Sequence, residues 1–206
     1  MTYGYIIGAA VLLFILWLGN GIRRIGSVSV GTKIGERGGS ALLLIDLQLV
    51  FWDHGPYSDD AIQSAAAVIL EEVEAARARN HPVIAVRQEW SIPSTKVLAR
   101  LTMNGQAIEG SEGTELAELF SSCPEYIIVK RVQDAFETGE LDALLERLNV
   151  GKLRLVGLDL NYCVQKTALA ARNRGYDITV MKHGTLAAAP TEVAEKRMSS
   201  AGVVFL

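Results

Sequence analysis

Three side chains in this 206-residue sequence could share one acyl-transfer reaction: the carboxylate of Asp46, the ammonium of Lys130 and the thiol of Cys163. Each stands at, or just after, the end of a short apolar run: Ala41–Ile45, Tyr126–Val129 and Leu153–Val156. Such runs read as buried strands. If these strands are neighbours, the thiol can attack a carbonyl, the carboxylate can take its proton and pass it to a departing amine, and the ammonium can orient both. Cys163 also opens a segment with Val164, Ala168 and Ala171 at helical spacing, closed by Gly175. Unpaired N–H groups at a helix start favour an anion, so a lowered thiol pKa is expected there. Each residue alone has a plainer reading. Cys163 is also a small apolar residue at a strand–helix junction, Asp46 a helix cap, and Lys130 a solvated strand end.

The elements that would carry these residues follow from periodicity. From Ala41 onward, apolar strands alternate with helical stretches: Asp59–Arg79, with Ile62, Ala66, Ile69, Val73 and Ala76 on one face, then Glu115–Phe120, Leu141–Leu148 and Thr191–Ser200. Further strands are expected at Pro82–Val86, Ile178–Met181 and Val203–Phe205. That alternation implies an α/β protein of three layers, α/β/α, with a mostly parallel central sheet and its ligand crevice at the carboxyl ends of the strands. Ser91–Gly113 is polar and irregular and reads as a loop covering that crevice.

Composition narrows the function. Half the residues are hydrophobic, enough for one good-sized core, and the net charge of -3 gives nucleic-acid binding no electrostatic support. Two cysteines make no disulfide framework, and His54, His81 and His183 are too scattered to indicate a metal site. No cofactor is implied.

The N-terminal stretch differs in kind. Residues 1–22 form an apolar helix, with Tyr3, Tyr5 and Trp17 near its ends and Arg23-Arg24 just beyond. About twenty apolar residues suffice to cross a bilayer, and aromatic residues suit its interfaces. No cationic segment precedes the stretch and no Ala-x-Ala-like cleavage site follows it, so an uncleaved anchor through residues 3–22 is expected. The flanking arginines place the rest of the chain in the cytoplasm; a soluble cytoplasmic oligomer with this helix packed against its body is the alternative. Residues 23–40, with five glycines after Ile25, read as a linker to a domain spanning 41–206.

Three motifs give the domain a family resemblance. Leu43-Leu-Ile-Asp46-Leu-Gln48 followed by Phe51 resembles the Asp-x-Gln opening of the isochorismatase-like cysteine hydrolases. Lys130-Arg-Val-Gln-Asp-Ala-Phe136 is similar to that family's Lys-x-x-x-Ser/Asp-Ala-Phe element. Val156-Gly-Leu-Asp-Leu-Asn-Tyr-Cys163-Val-x-x-Thr167-Ala resembles its cysteine signature, with Leu160-Asn161 where Thr-Asp is usual. The resemblance implies an Asp46/Lys130/Cys163 triad, a cis peptide at Leu158–Asp159, and an oxyanion hole from the backbone N–H groups of Asp159 and Cys163. Gln48, Trp52, Arg87, Glu89, Trp90, Phe136 and Tyr162 are candidate pocket residues, with Arg87 a possible partner for an anionic substrate group. Arg87-Gln-Glu-Trp90 stands where the family's nicotinamidases carry metal-binding histidines, so a metal-dependent nicotinamidase is disfavoured. The activity implied is hydrolysis of a small amide, imide or ureido compound through a thioester. Hydrolysis of a cyclic carboxylate, or a non-catalytic membrane-tethered interaction protein, are the alternatives. A homo-oligomer is also implied.

Overall fold

The computed structural model describes residues 2–206. A long helix, α1 (Thr2–Ile25), leads into a domain of six parallel strands flanked by helices. In chain order these are β1 (Gly39–Ile45), α2 (Leu49–Trp52), α3 (Asp59–Ala78), β2 (Val83–Gln88), α4 (Pro93–Thr102) and β3 (Tyr126–Lys130). Then come α5 (Glu140–Arg147), β4 (Val150–Gly157), a π-helical turn at Leu160–Val164, α6 (Gln165–Arg174), β5 (Asp177–Thr185), α7 (Glu192–Ser200) and β6 (Val204–Phe205). The sheet order is β3-β2-β1-β4-β5-β6, with every pairing parallel.

The central strand β1 is apolar at every position from Ala41 to Ile45 because both of its faces are covered. Ala41, Leu43 and Ile45 face a core shared with α5, α6 and α7. Leu42 and Leu44 face the opposite core, where α3 supplies Ala65, Ile69, Val73 and Ala76. Helix α3 starts at Ser58, whose side chain accepts a hydrogen bond from the Ala61 N–H. Helix α6 ends at Gly175 in the left-handed conformation, as its position predicts. The three-layer α/β/α arrangement expected from the strand–helix alternation is present.

Two expectations need correction. Ser91–Gly113 is not all loop, for α4 occupies Pro93–Thr102 and buries Ser94, Thr95, Leu98 and Ala99. Its small and polar buried residues hide the apolar periodicity that signals a helix. The stretch after α1 is also no free tether. The Ser29 N–H donates to Asp134 Oδ2 at 2.7 Å, Arg174 Nη1 donates to the Ser29 hydroxyl at 2.9 Å, and the Ile34 N–H donates to the Arg174 carbonyl at 2.8 Å. Gly31, at φ +64°, passes so close to the Arg174 guanidinium that a Cβ would lie 2.3 Å from it. The glycines here serve close approach, not flexibility.

Candidate active site

Strand order decides which chain ends meet. With β1, β2 and β3 consecutive and β4 beside β1, the carboxyl ends of β1, β3 and β4 border one crevice, and β2 ends between two of them. Asp46 follows β1 immediately and sits at φ +53°, a left-handed conformation that aspartate tolerates better than most residues. Its N–H donates to the Val86 carbonyl at 2.9 Å, which pins the turn to β2. Lys130 is the last residue of β3 and is fully buried. Cys163 lies in the π turn after β4, two residues before the start of α6.

These three side chains converge. Lys130 Nζ lies 2.9 Å from Asp46 Oδ2 and 3.3 Å from Cys163 Sγ, and it also donates to Gln88 Oε1. Among the described residues, Asp46 Oδ1 is buried with no hydrogen-bond partner. A buried acceptor left open in this way calls for a functional account. The charges follow from the surroundings. Burial pushes the Asp46 carboxyl up from its ordinary value, against the pull of Lys130. Burial alone would lower Lys130, but Asp46 and Cys163 outweigh it and its net shift is upward, so the ammonium persists. Burial and then the Asp46 charge push the Cys163 thiol up, and Lys130 opposes this only in part. The lowered thiol pKa expected from a helix start is therefore corrected. The thiol rests protonated, beside the carboxylate that can receive its proton.

The turn that carries Cys163 is fixed by Asp159. The Leu158–Asp159 peptide is cis, at the position the resemblance implies. Asp159 Oδ1 accepts from the Asn161 N–H at 2.8 Å, and Oδ2 accepts from the Ala188 N–H at 2.7 Å and the Tyr57 hydroxyl at 3.3 Å. Among the described residues, the Asp159 backbone N–H donates to no protein acceptor. The departures from the family pattern have local reasons. Leu160 is buried in the core under α6, and Asn161 Nδ2 donates to the Ala189 carbonyl at 3.1 Å.

A cavity of about 360 Å³ opens onto Asp46 and Cys163. Of the residues expected to line it, Trp90 and Tyr162 do. Gln48 lies behind it and acts on Gln88: its Nε2 donates to the Gln88 and Thr114 carbonyls at 3.1 and 2.8 Å, and its Oε1 accepts from the Gln88 N–H at 2.6 Å. Trp52 is in the core against Phe120, edge to face at 4.7 Å. Phe136 is also core, packed on Tyr176 and under the Arg174 guanidinium. Arg87 pairs with Glu89 and donates to the Thr114 carbonyl, away from the cavity. Side chains alternate along a strand, so the residue of β2 that reaches the site is Gln88, one step beyond Arg87. Charge drew attention to the wrong neighbour.

Further residues also line the cavity: Met103 and Gln106 come from the stretch expected to cover the crevice and Gln133 from the Lys130–Phe136 motif, whereas Tyr57 and Ala188 carried no sequence signal. None of the lining residues is Arg, Lys or His. Among the described residues, no group of three His, Cys, Asp or Glu side chains could hold a metal ion.

Comparison with known proteins places the fold in a family. Residues 40–204 match the family model described as the isochorismatase domain. A protein of Arabidopsis thaliana described as a probable inactive nicotinamidase is 30% identical over 161 residues, covering 73% of this chain and 82% of that protein. The crystal structure of an isochorismatase family protein from Desulfovibrio vulgaris superposes with a TM-score of 0.71 at 26% identity, over 82% of this chain and 94% of that one. That of N-carbamoylsarcosine amidase from Thermoplasma acidophilum superposes with a TM-score of 0.69 at 22% identity, over 82% and 95%.

Proposed function

Because the chain belongs to the isochorismatase family, we propose that it is a hydrolase that cleaves the C–N bond of a small amide, imide or ureido compound through a thioester on Cys163. The observation that carries this reading is the single ammonium, Lys130 Nζ, in contact with both Asp46 and Cys163 at the edge of an amide-sized cavity. Cys163 passes its proton to Asp46 as its sulfur attacks the carbonyl carbon. The oxyanion of the tetrahedral intermediate is met by the backbone N–H groups of Asp159 and Cys163. Asp46 returns the proton to the departing nitrogen, so ammonia or an amine leaves and a thioester remains. Water, deprotonated by Asp46, then releases the acid and restores the thiol. Lys130 keeps its charge throughout and holds Asp46 in place.

The cavity's chemistry supports an uncharged substrate. It is lined mainly by Phe51, Pro56, Tyr57, Trp90, Met103 and Tyr162, with the amides of Gln106 and Gln133 at hand for polar groups. A substrate carboxylate would find no cation on that wall, which weighs against a cyclic carboxylate. The N-carbamoylsarcosine amidase named above acts, by its name, on a carbamoyl nitrogen compound, in keeping with a ureido substrate. The Arabidopsis relative, described as a probable inactive nicotinamidase, lends weight to a second reading in which the fold serves only as a tethered platform.

The deciding experiment measures ammonia release from a panel of small uncharged amides, imides and ureas, with Cys163→Ala as control. Release that disappears in the variant, with a thioester trapped on Cys163 by mass spectrometry, supports the hydrolase. No release, together with no thioester trapped on Cys163 from any member of the panel, would favour the platform. We place α1 in a bilayer, since Tyr5–Ile25 has a mean hydropathy of 2.0 and its outer turns are exposed on all sides.

A further inference from the structure

The last turns of α1 are not free of the domain. Gly21 is buried, and a Cβ there would lie 2.9 Å from Leu98 Cδ1 and from Ser94 Cβ and Oγ of α4. Leu18 and Ile25, on either side, join a cluster with Val50, Trp90, Leu98, Ala99 and Ala107. Phe51, Trp90 and Met103 belong both to this cluster and to the lining of the cavity. A second link is polar: the Ile25 carbonyl, at the end of α1, accepts from the N–H of Gln133 at 3.1 Å, and Gln133 also lines the cavity. The family model begins at residue 40, so every α1 residue in these contacts lies outside it.

We propose that the end of α1 is a positioning element of the active site, with Gly21 as the contact that lets it seat against α4 and hold the cavity wall in its working shape. A packed interior does not deform smoothly, so a wall backed by a second helix keeps one position. A wall held only by its own short helix would sample several. Substrate binding then depends on how the helix that enters the membrane is seated. The chemistry at Lys130 and Cys163, which are not part of the cluster at the end of α1, does not. This rests on the cavity being the substrate site, but the helix-to-wall coupling can be read without any substrate.

The test uses the full chain in detergent micelles and compares Gly21→Val with Gly19→Val. Gly19 has open space around its Cβ position, so the same helix receives the same side chain without meeting α4. In Gly21→Val, amide exchange across residues 93–108 is expected to quicken about tenfold or more while α3 and α6 keep their protection. Alkylation of Cys163 by N-phenylmaleimide, which must fit the cavity, should change about fivefold relative to alkylation by iodoacetamide, which need not. For any substrate found, KM should rise with kcat nearly unchanged. Gly19→Val should match the wild type throughout. A Gly21→Val protein that matches the wild type in exchange and in the reagent ratio would overturn the proposal. So would exchange that quickens equally across the whole domain, because that marks a merely structural contact. If no amide is hydrolysed, the proposed reaction fails while the exchange and reagent arms still decide the coupling.

Discussion

Asp46, Lys130 and Cys163 solve an electrostatic problem that each would fail alone. A carboxylate or an ammonium without a partner is costly to bury, and their attraction is what allows both inside the domain. The thiol is then held neutral by the same burial, beside Asp46, whose Oδ1 has no hydrogen-bond partner among the described residues. The pH dependence follows from these directions. Asp46 must be ionised to act as base, and its pKa is raised, so the base form is lost as pH falls through that raised value. The acid limb of kcat/KM is therefore expected above the ordinary carboxylate range, and Asp46→Asn should abolish turnover. A profile flat down to the ordinary carboxylate pKa would count against Asp46 as the base. Cys163, shifted upward, should alkylate with iodoacetamide faster as pH rises through the alkaline range in the absence of substrate. A thiolate already formed at pH 6 would contradict the charge arrangement described here.

Elements, not single residues, hold Asp46, Lys130 and Cys163 in register. The turn after β1 is tied to the end of β2 by Gln48, which makes three hydrogen bonds to the backbone of Gln88 and Thr114. Gln88 in turn receives the Lys130 ammonium. A single side chain thus joins the β1 turn, the β2 end and, through Gln88, the β3 end. Gln48→Leu would fill a similar volume but strand the buried Gln88 N–H and carbonyl. A loss of about 2–4 kcal/mol of stability is expected from such unsatisfied groups. It should appear as a lower urea midpoint with an unchanged slope, alongside weakened Cys163 selectivity as Lys130 loses its lateral support. An unchanged midpoint would mean that water replaces the amide without cost.

Across the whole molecule, the apolar helix and the hydrolase fold form one body. The strap through Ser29, Gly31 and Ile34 lies against Asp134 and Arg174, and the end of α1 lies against α4. A domain so held would sit directly on the bilayer surface, not swing from it. Exposed Leu12 lies midway along the apolar stretch. Leu12→Arg should reduce insertion by about 3–4 kcal/mol, the cost of arginine at a helix centre in a bilayer together with the lost contribution of leucine. Flotation with phosphatidylcholine vesicles after carbonate washing measures it: wild type should float and the variant should shift to the soluble fraction. Wild-type chain that stays soluble without detergent as a defined oligomer would favour the packed-helix alternative.

The sequence by itself determined the sheet, because strands covered on both faces must be apolar throughout, and runs such as Ala41–Ile45 say so without help from any neighbour. It also marked Asp46, Lys130 and Cys163 as candidates, since each stands at or just after the end of an apolar run, and the end of a strand is a local property. The cavity lay beyond its reach. Which residues share a wall depends on strand order and on loops far apart in the chain, so Tyr57 and Ala188 joined the site without a local sign, while Trp52 and Phe136 went to the core. Only the tertiary structure turned Arg87 away and Gln88 inward, raised the Cys163 pKa by burying it beside Asp46, and converted a glycine-rich stretch into a fixed strap. Burial, partner charge and close approach are properties of the packed chain, and no spacing along the sequence encodes them.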